Sequence, residues 1–240
     1  MAASKSFIIN KKIMVLHGKN NDFRSACRDY FYLINRKYPE RGSLKIVGDH
    51  YRLTRDDRTV LYRGISPAQK CEMRRSKLVS NISGKAVFID GYNVLFTLLN
   101  YRLGRITFVS NDSILRDAGS LHGKLRDQKT FTSCVDLMIA YLSASGAILV
   151  QIYLDSPVSH SEQHALAIQE KLHEAGLGGQ CYVVRSADWA LKQAVNGIIA
   201  TSDTVIIDHS SLPVADLPRE ILEKNYQAKF LDISGLLYTD

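Results

Sequence analysis

The pattern of hydrophobic and polar positions changes rhythm near residue 84. Before it, apolar residues recur at helical spacing. In "NDFRSACRDYFYLINRKY" (21–38), Phe23, Ala26, Cys27, Tyr30, Leu33, Ile34 and Tyr38 form one apolar face, which predicts an amphipathic helix. Asn21 or Asp22 can cap it, and Pro39 follows its end. "LKIVGDHYRL" reads as a short hairpin turning at Gly48-Asp49. Thr54 with Asp57 three positions on is a capping-box-like start for a helix at "RDDRTVLYRG". Ser66-Pro67 opens a further helix, with proline at its first position.

After Gly84, strand-like runs alternate with helical ones. The strands are "AVFID", "AILVQIYLD", "CYVVR", "GIIATSD" and "KFLDI". The helical stretches are "NVLFTLLNYRL", "FTSCVDLMIAYLSA", "SEQHALAIQEKLHEA", "DWALKQAV" and "LPREILEKN". Strands that are apolar throughout suit a parallel sheet buried on both faces. Their alternation with helices implies an α/β layered fold with crossover helices. "RLGRITFVSNDSILRDAGSLHGKLRD" interrupts the rhythm with a strand and a long polar loop. The expected organisation is a small, mainly helical module over residues 1–83 and an α/β domain over 84–240.

Charge sharpens that division. The net formal charge is +7, but residues 1–85 carry 19 Lys and Arg against 7 Asp and Glu, whereas 86–240 carry 12 against 17. A basic module precedes an acidic one. Basic segments attract polyanions, of which nucleic acid is the commonest; a solvated surface or an acidic protein partner would use the same charge. Within the module, Lys70, Arg74, Arg75 and Lys77 crowd onto one predicted helix and are the candidate nucleic-acid contacts.

Cys27, Cys71, Cys134 and Cys181 are scattered, and no two form a CxxC pair, so reduced, buried thiols are expected rather than a zinc ribbon or disulfide framework. No apolar run is long enough to span a membrane, and the N-terminal stretch lacks the long apolar segment of a secretory signal. The expectation is a soluble, cytoplasmic protein with no membrane partner; a homo-oligomer is left open.

The chemistry lies at the strand ends. In open α/β sheets, ligands collect at the carboxyl ends of the strands. Asp90 closes "AVFID", Asp155 closes "AILVQIYLD", Asp188 follows "CYVVRSA", and Asp203 closes "GIIATSD". Each acid taken singly also suits a turn or a helix cap. Together they suggest a site for a hard divalent cation, Mg2+ or Mn2+, because clustered carboxylates repel unless a cation joins them. Such an ion can activate water against a phosphodiester. Asn93, in the same turn as Asp90, can add an oxygen or bond a carboxylate.

"VFIDGYNVL" resembles the first strand and turn of PIN/NYN-like metal-dependent ribonucleases, and "SADWALKQAVNGIIATSDTVIID" resembles the later segment of that superfamily. The resemblance covers roughly residues 85–235. The N-terminal module, with "LRDAGSLHGKLRD", is similar to an archaeal family of uncharacterised proteins. The resemblance implies a parallel-sheet, PIN-like (Rossmann-like) three-layer domain, divalent-metal binding and RNA cleavage. It makes Asp90, Asp188 and Asp203 catalytic metal ligands and Asp155 a looser match. Asp136 and Asp117 are the candidates for the intermediate acid that many such nucleases carry.

"RDAGSLHGK" gathers Arg116, Asp117, His122 and Lys124 in one loop, either to hold phosphate and complete the acidic site or as a solvated connection. His160 and His164 lie four apart but lack a third zinc ligand, so two surface histidines are expected. Trp189 is expected to pack in the core or at its rim. No GxxxxGK[ST], GxSxG or strand-following GxGxxG is present, which removes P-loop, α/β-hydrolase and dinucleotide-binding chemistry. Tyr92 stands where an aspartyl phosphatase would need a second acid. The leading expectation is a metal-dependent endoribonuclease with a basic RNA-binding module; the alternative is a non-catalytic RNA-binding or scaffold protein on the same fold.

Overall fold

A computed structural model describes residues 21–119 and 127–238. These fall into two compact units. The first draws on residues 21–76, 103–119 and 226–238, the second on 77–102 and 127–225. The first unit thus draws on three stretches of the chain, of which the N-terminal one ends at Ser76. Among the described residues no helix is long and apolar enough to cross a membrane. All four cysteines are buried free thiols.

The second unit is α/β. Strands β1 (Ala86–Asp90), β4 (Leu149–Asp155), β5 (Gly179–Val184) and β6 (Ile198–Ala200) pair in the order β5-β4-β1-β6. Every pairing is parallel. The four strands coincide with apolar runs of the sequence; β1 and β6 are buried on both faces, whereas burial alternates along β4 and the edge strand β5 is mostly half-buried. Helices α5 (Gly91–Arg102), α6 (Gln128–Ala144), α7 (Ser161–Glu174), α8 (Ala187–Lys192), α9 (Thr204–His209) and α10 (Leu217–Tyr226) follow in chain order. From β1 the chain steps outward to β4 and β5, then returns through α8 to β6 on the far side of β1. Right-handed crossovers put the helices of the outward and return connections on opposite faces.

The first unit is built from α1 (Asn21–Asn35), α2 (Glu40–His50), α3 (Arg55–Gly64) and α4 (Ala68–Ser76). It also holds a small sheet of β2 (Thr107–Val109), β3 (Leu115–Asp117) and β7 (Leu231–Asp232), followed by α11 (Ser234–Leu237). Its core joins Phe23, Tyr30 and Ile34 of α1 to Leu61 of α3, Phe108 of β2 and Leu231 of β7. "KFLDI" thus forms a strand, but in this sheet and not in the parallel one. The predicted capping box is present: Thr54 Oγ1 accepts from Asp57 N, and the Asp57 carboxylate accepts from Thr54 N at 3.0 Å.

The expected hairpin at Gly48-Asp49 is instead helix α2. Gly48 is buried, and a Cβ there would lie 2.3 Å from Arg58 Nη1. The Arg58 side chain occupies that gap, donating to Leu53 O at 3.1 Å and Asp49 Oδ1 at 2.9 Å. The glycine lies within a helix under the Arg58 guanidinium and makes no turn.

A buried ion cluster ties α4 to the β2–β3 turn. Arg116 donates to both Asp112 oxygens at 2.7 and 2.9 Å, and Arg74 Nη1 donates to Asp112 Oδ2 at 3.0 Å. Asn111 clasps Ser66 from both sides, accepting from its N at 3.0 Å and donating to its O at 2.9 Å. Burial alone would raise the Asp112 carboxyl, but the two guanidiniums and Ser110 hold it far below the usual carboxylate range. A depressed carboxylate contributes stability that is present above the unfolded value of about 4 and lost as pH falls below it. Asp112→Asn should therefore destabilise the protein at pH 7 by about 3–5 kcal/mol, the cost of leaving buried guanidiniums without their counter-ion. The deficit should shrink as pH falls below about 4. Chemical denaturation at pH 7 and at acid pH measures both, and an unchanged midpoint at pH 7 would remove the cluster from the fold's requirements.

Candidate active site at the carboxyl edge of the parallel sheet

Asp90 ends β1, one of two strands with neighbours on both sides, and the chain leaves it towards β4 and later returns to β6 on its other side. This is the topological switch point, the usual ligand crevice of open α/β sheets. The side chain is 5% exposed. Its Oδ2 accepts from Thr201 Oγ1 at 3.0 Å and its Oδ1 from Asn93 N at 3.3 Å. Asn93 Oδ1 in turn accepts from Ser202 N at 2.8 Å and Ser202 Oγ at 3.0 Å. The turns after β1 and β6 are thus sewn together across the switch point. Gly91 is needed there because a Cβ would lie 2.5 Å from Leu154 Cδ2 and 3.1 Å from Tyr153 O.

The other three acids reach the same edge by different devices. Asp155 Oδ1 accepts from Ala187 N at 2.8 Å, pinning the start of α8 to the end of β4. Ser186 caps α8 through Trp189 N, which leaves the Asp188 carboxylate out of the cap. Asp203 caps α9, accepting from Val205 N at 2.6 Å. Asp155, Asp188 and Asp203 are each partly exposed.

Two of the four carboxylates are raised in part by their acidic neighbours. Burial pushes the Asp90 carboxyl up to about 7, against the bonds from Thr201 and Asn93, and the charges of Asp155 and Asp188 push the same way. Asp188 is raised by burial, then by Asp203 and Asp155. The edge is therefore a concentration of negative charge held under tension. Among the described residues, however, no three His, Cys, Asp or Glu side chains stand close enough to form a ready-made metal cage.

The remaining sequence candidates scatter. Asp136 lies on α6 and pairs with Lys171. Arg116 is consumed by Asp112, and Asp117 is a buried residue of the first unit whose Oδ1 accepts from Gly119 N at 2.8 Å. His122 and Lys124 lie outside the described residues. Arg74 is 2% exposed, so it offers no surface to a phosphate, and Lys77 Nζ donates to Ile207 O and Ser210 O at 2.7 Å. Arg75 is exposed but donates to Asn111 O at 2.7 Å; Lys70 is exposed. Exposed cations also stand on or beside α1 and α2, at Arg24, Arg36, Lys37, Arg41 and Lys45. Only the charge excess of residues 1–85 signalled them.

Two expectations are corrected. His164 is 2% exposed rather than a surface residue, with Tyr92 OH 3.0 Å from its Nδ1 and no partner for its Nε2. Burial and the neighbouring His160 lower its pKa. Trp189 packs in no core; it is 68% exposed. Thr201 and Ser202, which hold Asp90 and Asn93, went unrecognised, although two hydroxyls directly before Asp203 are a legible hint.

A raised carboxyl predicts a pH-dependent penalty. Above about 7 Asp90 is charged in both folded and unfolded chains and the burial cost is felt in full; below about 4 it is protonated in both and the cost vanishes. In EDTA, Asp90→Asn should melt at a higher temperature than the parent at pH 8, with the gap closing towards pH 4. A gap that stays constant across that range would show that the carboxylate carries no burial penalty.

Residues 79–220 match a family described as a domain of unknown function (DUF5616), and residues 22–77 match a protein family of unknown function (DUF434). Over 201 residues the chain is 32% identical to Uncharacterized protein MJ0935 of Methanocaldococcus jannaschii, covering 82% of this chain and 95% of that protein. No solved structure matches. The family boundary at residues 77–79 coincides with the break between the helices of the first unit and the α/β unit. With over half of its length inside one family, and a relative that shares nearly its whole extent, the chain belongs to the DUF5616 family of uncharacterised proteins, its α/β unit joined to a DUF434 module.

Proposed function

We propose that the α/β unit is a PIN/NYN-like endoribonuclease that hydrolyses RNA phosphodiester bonds with Mg2+ or Mn2+ held at the carboxylate edge. The observation that carries this reading is the arrival of Asp90, Asp155, Asp188 and Asp203 from four separate segments at one edge of the sheet, with the Asp90 and Asp188 carboxyls raised in part by their neighbours' charge. The donor set fits such an ion: it is all oxygen, and repulsion among carboxylates is relieved by a hard cation. Asp90, Asp188 and Asp203 are the proposed ligands, with Asp155 beside them.

When bound, the ion would supply Lewis acidity towards water and the phosphoryl oxygens. The protein's own groups supply position. Thr201 and the Asn93 backbone fix the Asp90 carboxylate, and Asn93 locks the β6 turn through Ser202. Asp155 holds α8 so that Asp188 stays at the edge. RNA is the favoured polyanion because residues 1–85 carry 19 Lys and Arg against 7 Asp and Glu, and phosphate attraction is sequence-independent.

A second reading, RNA binding without cleavage, draws on the lack of a ready-made trio of ligands among the described residues. The two separate on one experiment. If the edge cleaves, a panel of single-stranded and structured RNAs should be cut in Mg2+ or Mn2+. Asp90→Asn and Asp203→Asn should each reduce cutting by at least about a hundredfold, on the scale of losing electrostatic groups at a reacting centre. RNA affinity should stay nearly constant in both variants, and chelation of the parent should reproduce their loss. Binding by all three proteins with no cutting by any would leave the non-catalytic reading.

A further inference from the structure

An exposed tryptophan needs a reason, because large aromatic side chains gain most from burial. Trp189 is the chain's single tryptophan, and it is 68% exposed. It follows Asp188 directly, so its Cα lies about 3.8 Å from that of the acid. Its backbone is held twice over. Trp189 N donates to Ser186 Oγ at 3.2 Å, and Ala187 N donates to Asp155 Oδ1 at 2.8 Å. The indole is therefore presented to solvent from a helix start that is fastened to the end of β4, on the residue that follows Asp188. Val205, two residues past Asp203, is also exposed, at 48%, and the two short helices α8 and α9 pack together.

The flanking charges indicate what kind of partner would cover the ring. Arg185 and Lys192 lie four positions before and three after Trp189, and both are exposed. An exposed aromatic ring with exposed cations four positions before and three after it in the chain suits a ligand that is anionic and carries a planar ring. Nucleotides combine those properties; an acidic peptide matches the charge alone. Base stacking on an aromatic ring is available to unpaired bases, whereas in a duplex both faces of each base are already covered by its neighbours.

We propose that Trp189 is a stacking platform for an unpaired nucleobase, so that the carboxylate edge takes single-stranded RNA in preference to duplex. The inference rests on the nuclease reading for the phosphate that lies beside the stacked base. Binding is read without cleavage, so the two stand or fall separately.

Because the full chain has one tryptophan, its emission reports this contact directly. Titration with oligouridylate in Ca2+, with the RNA checked for integrity on a gel, should quench the emission to saturation. A blunt RNA duplex of the same length should quench weakly. Trp189→Ala should bind end-labelled oligouridylate about ten-fold more weakly by anisotropy, and Trp189→Phe should recover most of the loss. Both variants should melt with the parent, since the side chain is exposed. Equal oligouridylate affinity in parent and Trp189→Ala, equal quenching by duplex, or RNA binding without quenching would each overturn the platform. So would an emission shift that follows protein concentration without RNA, which would make the ring a contact between copies of the chain. If quenching and the Trp189→Ala loss are seen but no RNA is ever cut, the platform stands and the catalytic reading falls.

Discussion

A carboxylate at the end of a central strand must be held without much water. Asp90 is in that position, and most of the α/β unit's edge follows from how it is satisfied. Its two oxygens take bonds from a threonine after β6 and from the backbone of its own turn. That requires β6 to return beside β1, which only the reversal of strand order at the switch point allows. It also requires the chain to turn immediately after Asp90, hard against Leu154 and Tyr153, where only glycine fits. Residual penalty remains, as the raised carboxyl records.

The first unit solves a comparable problem in the opposite way. Asp112 is fully buried, but two guanidiniums surround it, so its charge is favoured rather than penalised. The contrast is informative. Where a buried acid is wanted for structure, cations are brought to it. At the carboxylate edge, three more acids are brought to Asp90 instead. The cations that saturate Asp112 come from α4 and β3, and they include two of the residues whose charge most suggested a phosphate contact.

Much of this was legible in the sequence, for reasons of geometry. Apolar runs bounded by turn residues make β1, β4, β5 and β6 stand out without reference to their partners, although only β1 and β6 are buried on both faces. The acids at their ends are equally visible, because the polypeptide must become polar where it leaves the sheet. Long-range pairing was not visible. Strands β2, β3 and β7 are two or three residues long and come from distant parts of the chain, and no local pattern assigns them to the helices they complete. Gly48 misled because its role depends on Arg58, ten residues away. Charge counts overstated α4 for a similar reason: a count cannot tell an arginine facing water from one facing Asp112.

The division of charge gives the two units opposed dependence on ions. On the proposed reading, exposed cations of the first unit would attract a polyanion by releasing its condensed counterions, an effect that monovalent salt erodes. The carboxylate edge repels the same polyanion until a cation neutralises it, an effect that a divalent ion reverses and that monovalent salt only screens. A chain with one sign of charge throughout could not separate these terms. On the proposed nuclease reading, attraction to RNA would need no metal, whereas approach of a phosphate to Asp90 would. Affinity and chemistry would then answer to different ions, monovalent salt eroding the first and a divalent ion enabling the second.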